Sequence, residues 1–413
     1  MSAREFVTLR SESANRGAFY VPRFELTIDG VPLDLSILRD AVELTYHDKT
    51  DEIDGFELVV SNWDSDRLRF KYIGSEDDES AADPTLHELE TLFEPCSKKV
   101  VVKLGYADEL EEMMTGTFTT MEPTFAAAGP HTLAVRGLNQ LHRMRRAKYD
   151  GQFHDKTDSE IAKCFEGLVD PKWKSSGMDA RRIPMPIEID KTAKGDEPRI
   201  PFVTQKSEYD IDFLWRRARI RGYIVEIRKY EGTNKEFLYF GPSETKSPTP
   251  YQLTWGMGLT DLKVTLTTAN QVKKVTVHGW DRANQKPIEA SADWFDPKLK
   301  HLNPKLGEIV QKCDPREERV INRPVFTKDE AKKAARDILL GSAQELVKAQ
   351  GTVIGLPSLR AGSRVLLDGI GNRLSGEYFV TETTHTLNGS GYTTKFTARR
   401  EDPDVEVGGG GAK

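Results

Sequence analysis

The chain has 413 residues, 38% hydrophobic and 30% charged, enough for two or three domains with real cores. A formal net charge of −6 and a pI near 5.9 argue against nucleic acid as the main partner. No run approaches a membrane span, the N-terminus MSAREFVTLRSES lacks the apolar stretch of a secretory signal, and Cys96, Cys164 and Cys313 are too few and too far apart for a disulfide scaffold.

Residues 1–19 are polar and expected to be loose. Strands are expected from Tyr20, where YVPRFELTIDGVPL alternates and turns at Asp29-Gly30. Further strands are expected over Leu38–His47, Gly55–Asn62 and Arg67–Ile73. Residues 75–94 carry eight acids and no Lys or Arg, which reads as a solvated loop or a short helix over Leu86–Leu92. Lys98–Arg136 completes a first antiparallel barrel or sandwich, and Leu138–Lys148 is a basic connector.

The next hundred residues read as an α+β insertion. Thr157-Asp158-Ser159-Glu160 is a capping-box pattern, followed by Ile161, Cys164, Phe165 and Leu168 at helical spacing. Residues 171–206 are Pro-rich and expected to be mostly loop. Ser207–Asp210 is expected to start a second helix that ends at Arg221-Gly222, before a hairpin of Tyr223–Arg228 and Glu236–Phe240. Strands return over Leu253–Asp281, and residues 282–326 are expected to be irregular. Thr327–Glu330 is another capping box, leading a helix expected over Ala331–Gln350. The domains expected are 1–137, 138–245, 246–330 and 331–402, with a flexible tail over 403–413.

One pattern occurs in both halves. Val100–Arg136 and Val365–Arg399 each open with an apolar strand ending at a glycine, Gly105 or Gly369. Each continues with Gly-x-aromatic, Gly116-Thr117-Phe118 or Gly376-Glu377-Tyr378, turns at Gly129 or Gly389, and closes on a strand ending in arginine. The alternation is that of half-buried antiparallel strands, and the glycines suit turns or bulges. Gly105, Gly116, Phe118, Gly369, Gly376 and Tyr378, with Trp255 and Trp280, are the structural or interface candidates. Trp280 and Phe379 are expected as core anchors, and Phe118 and Tyr378 as counterparts.

Catalytic patterns are weak. His87-Glu88-Leu89-Glu90 lacks the second histidine of a zinc-protease helix. Gly369-Ile370-Gly371 lacks the third glycine of a dinucleotide loop. Carboxylates are abundant, but no local pattern picks out a glycosidase pair. Trp63, Trp215, Trp255 and Trp280 are read as core or interface residues rather than sugar platforms. No catalytic residue, cofactor or metal is assigned.

In order along the chain, YVPRFELTIDG, LFEPCSKKVVVKLGY, TGTFTTMEPTF, TDSEIAKCFEGL, SEYDIDFLWRRARIRGYIVEI, LTWGMGLTDLKVTL with VKKVTVHGWD, and GLPSLRAGSRVLLDGIGNRLSGEYFVTETTH resemble the phage late control protein D family, over residues 20–400. These are hub proteins of contractile tails, related to the N-terminal half of VgrG spikes. The resemblance implies a mainly β fold with an α+β insertion: two related antiparallel β-barrel-like tube domains plus an intervening α/β domain. It implies a non-enzymatic homotrimer, assembled in the bacterial cytoplasm into a phage tail or injection particle. Its partners would be a hexameric inner-tube protein, a trimeric spike protein and baseplate wedge proteins. The alternative is a tail-associated cell-wall hydrolase or glycan-binding module. Cys96 stands where the family has glycine after proline, and residues 75–94 and 171–206 match no family motif. No further spike domain is recognised after Arg400, so a separate chain is expected to form the spike tip.

Overall fold

The structure is a computed structural model that describes residues 6–9, 21–73, 84–96, 98–107, 109–167, 183–190, 195, 197–230, 232–233, 235–243, 251–282, 284–297, 299, 304–313, 316–322 and 325–401. Residues 1–5 and 10–19, 75–83 of the expected 75–94 segment, 171–182 of the expected 171–206 loop, and the tail at 403–413 lie outside these residues. The fold is mainly β, and its centre is a pair of barrels, whose twelve strands we number β1–β12.

The first barrel comprises β1 Pro22–Ile28, β2 Ala41–Lys49, β3 Gly55–Ser61, β4 Lys99–Tyr106, β5 Glu109–Thr124 and β6 Thr132–Asn139. The second comprises β7 Tyr251–Trp255, β8 Gly258–Leu266, β9 Val347–Ile354, β10 Arg364–Asp368, β11 Gly376–Asn388 and β12 Gly391–Arg400. The first sheet runs β1-β4-β5-β6-β3-β2, and the second runs β7-β10-β11-β12-β9-β8. Chain order and spatial order therefore match strand for strand. In the second, β8 pairs back to β7 at Thr254↔Gly258, which closes a six-stranded barrel.

Alternation drives these strands. In β9 the burial pattern puts Val347, Ala349, Gly351 and Val353 inside, while Lys348 and Gln350 point out. The same stretch corrects the helix expected to run to Gln350. Thr327 and Glu330 form the expected capping box, but the helix is Lys328–Ala343, because the period-two run beginning at Val347 is claimed by the barrel. Three other expectations are corrected. The helix expected from Ser207 starts at Asp210, since residues 200–209 are a strand paired with Lys148–Lys156. The strand expected from Leu38 starts at Ala41, after a short helix Leu35–Asp40 capped by Asp34. Residues 282–326 are not irregular throughout: they hold strands Lys286–Asp293 and Arg316–Val320 and helix Pro304–Lys312.

Each barrel carries an excursion. Between β6 and β7 lies the α+β insertion, with its own core around Ile161, Phe165, Phe213, Leu214 and Phe240. Its Thr157–Glu160 capping box and its Tyr223–Lys229/Glu236–Pro242 hairpin are as expected. Between β8 and β9, strands Val272–Asp281, Lys286–Asp293 and Arg316–Val320 form a small sheet covered by helix Lys328–Ala343. This sheet shares one core with the second barrel.

Trp280 is not a core anchor. It is 52% exposed. Val275 and Val277 are buried and Gly279 abuts Val325, so strand parity turns Trp280 outward. Phe379 is fully buried against Ile224 and Tyr239 of the insertion.

Candidate functional site

From β2 to β6 and from β8 to β12 the strand pairings of the two barrels correspond rung by rung. In each, the central strand carries a short stretch paired on both sides, followed by a bulge. Tyr378 pairs with Val365 and Arg400, and Gly116 pairs with Val100 and Asn139. The bulge falls after Val380, opposite Ala398, and after Phe118, opposite Gly137. Pairing thus aligns Gly116 with Tyr378 and Phe118 with Val380, two residues off the alignment that the Gly-x-aromatic pattern suggests. A two-residue offset keeps the same face. Phe118 and Tyr378 are accordingly both fully buried, each in its own barrel core.

Gly105 and Gly116 lack the positive φ expected of turn glycines; they are needed for close approach. A Cβ on Gly116 would meet the Leu138 carbonyl oxygen at 2.0 Å, and one on Gly105 the Glu109 carbonyl oxygen at 2.0 Å. Gly369 does turn the chain, at φ +77°, and Gly376 opens β11. Trp255, 49% exposed, ends β7 at the closure of the second barrel.

The barrels are joined by strand pairing. Among the described residues β1 and β2 of the first barrel do not pair; instead the outer edge of β2 pairs antiparallel with β11, from Glu382↔Lys49 to Asn388↔Glu43. At this seam His385 sits opposite Tyr46 and is fully buried. Its Nε2 is 3.1 Å from the Leu359 carbonyl oxygen, and its Nδ1 is 2.9 Å from the Tyr392 hydroxyl. A carbonyl can only accept, so Nε2 carries the proton and Nδ1 accepts. Burial, with the nearby Arg360 charge, pulls the His385 pKa down to about 3.

Beside the seam the first barrel, the insertion and the second barrel enclose a cleft of about 650 Å³. Arg360 reaches across it, donating to Asp48 Oδ2 at 2.5 Å and to the Tyr46 hydroxyl. Burial opposes the Arg360 charge, and Asp48 more than restores it, so the guanidinium is held above its ordinary range. Lys229 of the insertion donates to the Glu112 carbonyl oxygen of β5 at 2.6 Å. Asn139 Nδ2 donates to Asp54 Oδ2 at 2.7 Å. Burial pushes the Asp54, Glu226 and Glu236 carboxyls up and Lys229 down; the Asp48 charge adds to the Asp54 shift. Lys229 also lies 3.4 Å from the Glu112 carboxylate, so the Arg360–Asp48 and Lys229–Glu112 ion pairs tie the second barrel and the insertion to the first barrel beside one cleft. Sequence reasoning missed these residues, because Asp48, Glu226 and Arg360 are far apart in the chain and meet only through topology. The one local hint is His385, which lies on the inward parity of TETTHTL.

Among the described residues no group of three or more His, Cys, Asp or Glu is placed to hold a metal ion. No helix among them is long and apolar enough to cross a membrane.

Paired, strand-joined barrels with an α+β insertion make this a protein of the phage-tail fold. The 43 kDa tail protein of prophage MuSo2 from Shewanella oneidensis is 15% identical with a TM-score of 0.60, over 92% of this chain and 98% of that one. A tail protein from Neisseria meningitidis MC58 is 13% identical with a TM-score of 0.60, over 92% and 97%. The Escherichia coli c3393 protein, a component of the type VI secretion system, is 11% identical with a TM-score of 0.52, over 92% and 77%. No curated protein matches the sequence. The family model of the Alg8 N-terminal domain matches residues 76–389, more than half of the chain, and the chain belongs to that family.

Proposed function

We propose that the chain is a structural baseplate hub of a contractile tail or tail-like injection particle, a homotrimer that adapts a hexameric inner tube to a trimeric spike. The observation that carries this is the β2–β11 seam between two corresponding barrels. Three chains would present six similar barrels to a tube and three identical faces to a spike, in closed cyclic symmetry. The tail and secretion-system proteins that share the fold support the setting. The reading is of a non-enzymatic protein working with tube, spike and wedge proteins and assembled in the bacterial cytoplasm.

In this reading the same pairing repeats between neighbouring chains to close the ring. The counterparts of β11 and β2 are β5 and β8. Among the described residues, no strand pairs with the outer edge of β5 over 120–124 or of β8 over 260–266. Repeating the seam between neighbouring chains sets Glu122 opposite Thr265 and Thr124 opposite Lys263. Glu122 and Lys263 then lie diagonally across the junction with opposite charges, both exposed. Pro123 withholds one N–H from that edge.

Light scattering tests the stoichiometry: three chains are expected, and a particle of six would overturn the reading. A Thr124→Cys/Lys263→Cys variant should form covalent dimers and trimers under oxidation, while each single variant should not. A trimer without such links would place the interface elsewhere.

A further inference from the structure

We infer that the free edges of β5 and β8 cover one another in neighbouring copies of this chain through a continuous apolar layer, with Met121, Pro123 and Phe125 of one copy against Leu262, Val264 and Leu266 of the next. The inference rests on the ring proposed above and names the surface that would hold it together.

The internal seam is the pattern. On its inner face Asp48, Tyr46 and Leu44 of β2 stand opposite Thr383, His385 and Leu387 of β11. Leu44, Tyr46, Thr383 and His385 there are fully buried. The matching rungs give each a counterpart on a free edge. Leu44 and Tyr46 sit opposite Leu58 and Phe56, as Leu262 and Val264 sit opposite Gly351 and Ala349. Pro123 answers to His385, so by strand spacing Met121 answers to Thr383 and Phe125 to Leu387. Repeating the seam therefore sets Met121 opposite Leu266, Pro123 opposite Val264 and Phe125 opposite Leu262. All six are apolar, whereas the internal seam carries Asp48 and His385 in the same layer.

Exposure is the second observation. Met121, Pro123, Leu262, Val264 and Leu266 are only half-buried, and Phe125 is 59% exposed. Met121 already packs on the rim of the first barrel's core, and Leu262, Val264 and Leu266 on that of the second. Phe125 is held in position: its ring meets Phe70 edge-on at 5.1 Å between centroids, and Phe70 meets Trp63 at 5.2 Å. An unpaired strand edge with a part-open apolar row beside it invites another strand. A second copy fits because it carries the complementary edge in the register that the seam already uses. Copies joined in this way are related head to tail, the arrangement that closes into a ring.

Sedimentation and light scattering of the full chain over a dilution series test the layer. Phe125→Asp puts a charge into it from one edge, and Leu262→Asp from the other. Each should raise the dissociation constant of the assembly at least about tenfold. Phe202→Asp, at an insertion residue that is 50% exposed, should leave it unchanged. Each edge variant keeps one sound edge, so mixing the two should give one-to-one heterodimers and nothing larger. Leu262→Ser takes the place of Leu262→Asp should circular dichroism show the latter unfolded. An assembly that either substitution leaves intact, or a mixture that stays monomeric, would overturn the inference while a wild-type trimer kept the ring reading. A wild-type assembly of another number that both substitutions dissolve would overturn the trimer and keep the layer. A wild-type chain monomeric at every concentration would overturn both.

Discussion

The second barrel closes on itself through β7, and the first does not close through β1. β1 pairs antiparallel with β4, whereas its counterpart β7 runs parallel to β10 and turns directly into β8. The first barrel's spare edge, on β2, is filled by β11 of the second. Duplication thus leaves complementary edges unless something closes or covers them. Some matching positions are sealed in one barrel and face outward in the other.

One such position is Arg364, whose counterpart by pairing is Lys99: each sits opposite its central strand, at Phe379 and Thr117. Lys99 is exposed, whereas Arg364 is 1% exposed and bonds Glu377 at 3.0 Å and Glu401 at 3.2 Å. Truncating Arg364 would leave two buried carboxylates with less compensation. Arg364→Ala should cost about 3–5 kcal/mol in chemical denaturation, and Lys99→Ala no more than about 0.5 kcal/mol. Equal losses would break the correspondence of the barrels at this rung.

The seam gives the next largest effect. His385 on β11 corresponds to Pro123 on the open edge of β5, since they face Thr394 and Leu133 across matching rungs. His385 is neutral in the fold, with a pKa near 3 against an ordinary value of 6.5. Because the unfolded chain binds the proton more readily, its contribution is complete above pH 6.5 and is lost as pH falls toward 3. At pH 5 the loss is about 2 kcal/mol. Asp54, Glu226 and Glu236 act with opposite sign: burial raises their carboxyl pKa values, so they favour the fold as pH falls below those raised values toward the ordinary carboxylate range. Urea midpoints at pH 7 and pH 5, for the wild type and His385→Gln, separate the two. The variant should lose less stability between these pH values than the wild type. An unchanged difference would mean that His385 is not held neutral by the seam.

The strands, two capping boxes and the duplication were legible in the sequence, because each rests on local periodicity or on Thr and Glu three residues apart. The register between copies was not. Gly-x-aromatic reads as a landmark in sequence, but pairing puts Gly116 where Tyr378 stands and Phe118 where Val380 stands. One barrel has Gly and Phe where the other has Tyr and Val, so the two copies share the buried face of the strand rather than the residue at a position. The cleft was not legible either. Its charges come from three bodies, and only long-range pairing brings Asp48, Glu226 and Arg360 together.

Trp280 gives the smallest effect and tests the sheet inserted between β8 and β9, which the first barrel replaces with the short β2–β3 connection. Strand Val272–Asp281 sends Val275 and Val277 into the core under helix Lys328–Ala343. Gly279 continues that face, with a Cβ there only 2.3 Å from Val325. Trp280 must then point outward, and its strand partner is Pro287 at the sheet's edge. A large side chain left half in water returns little on folding, because only the buried part of its apolar area contributes. Trp280→Ala should shift the stability of the isolated chain by no more than about 0.5 kcal/mol, whereas Val277→Ala should destabilise it measurably. A Trp280→Ala loss of several kcal/mol would mean that the inserted sheet is turned over, with its alternate residues facing the helix.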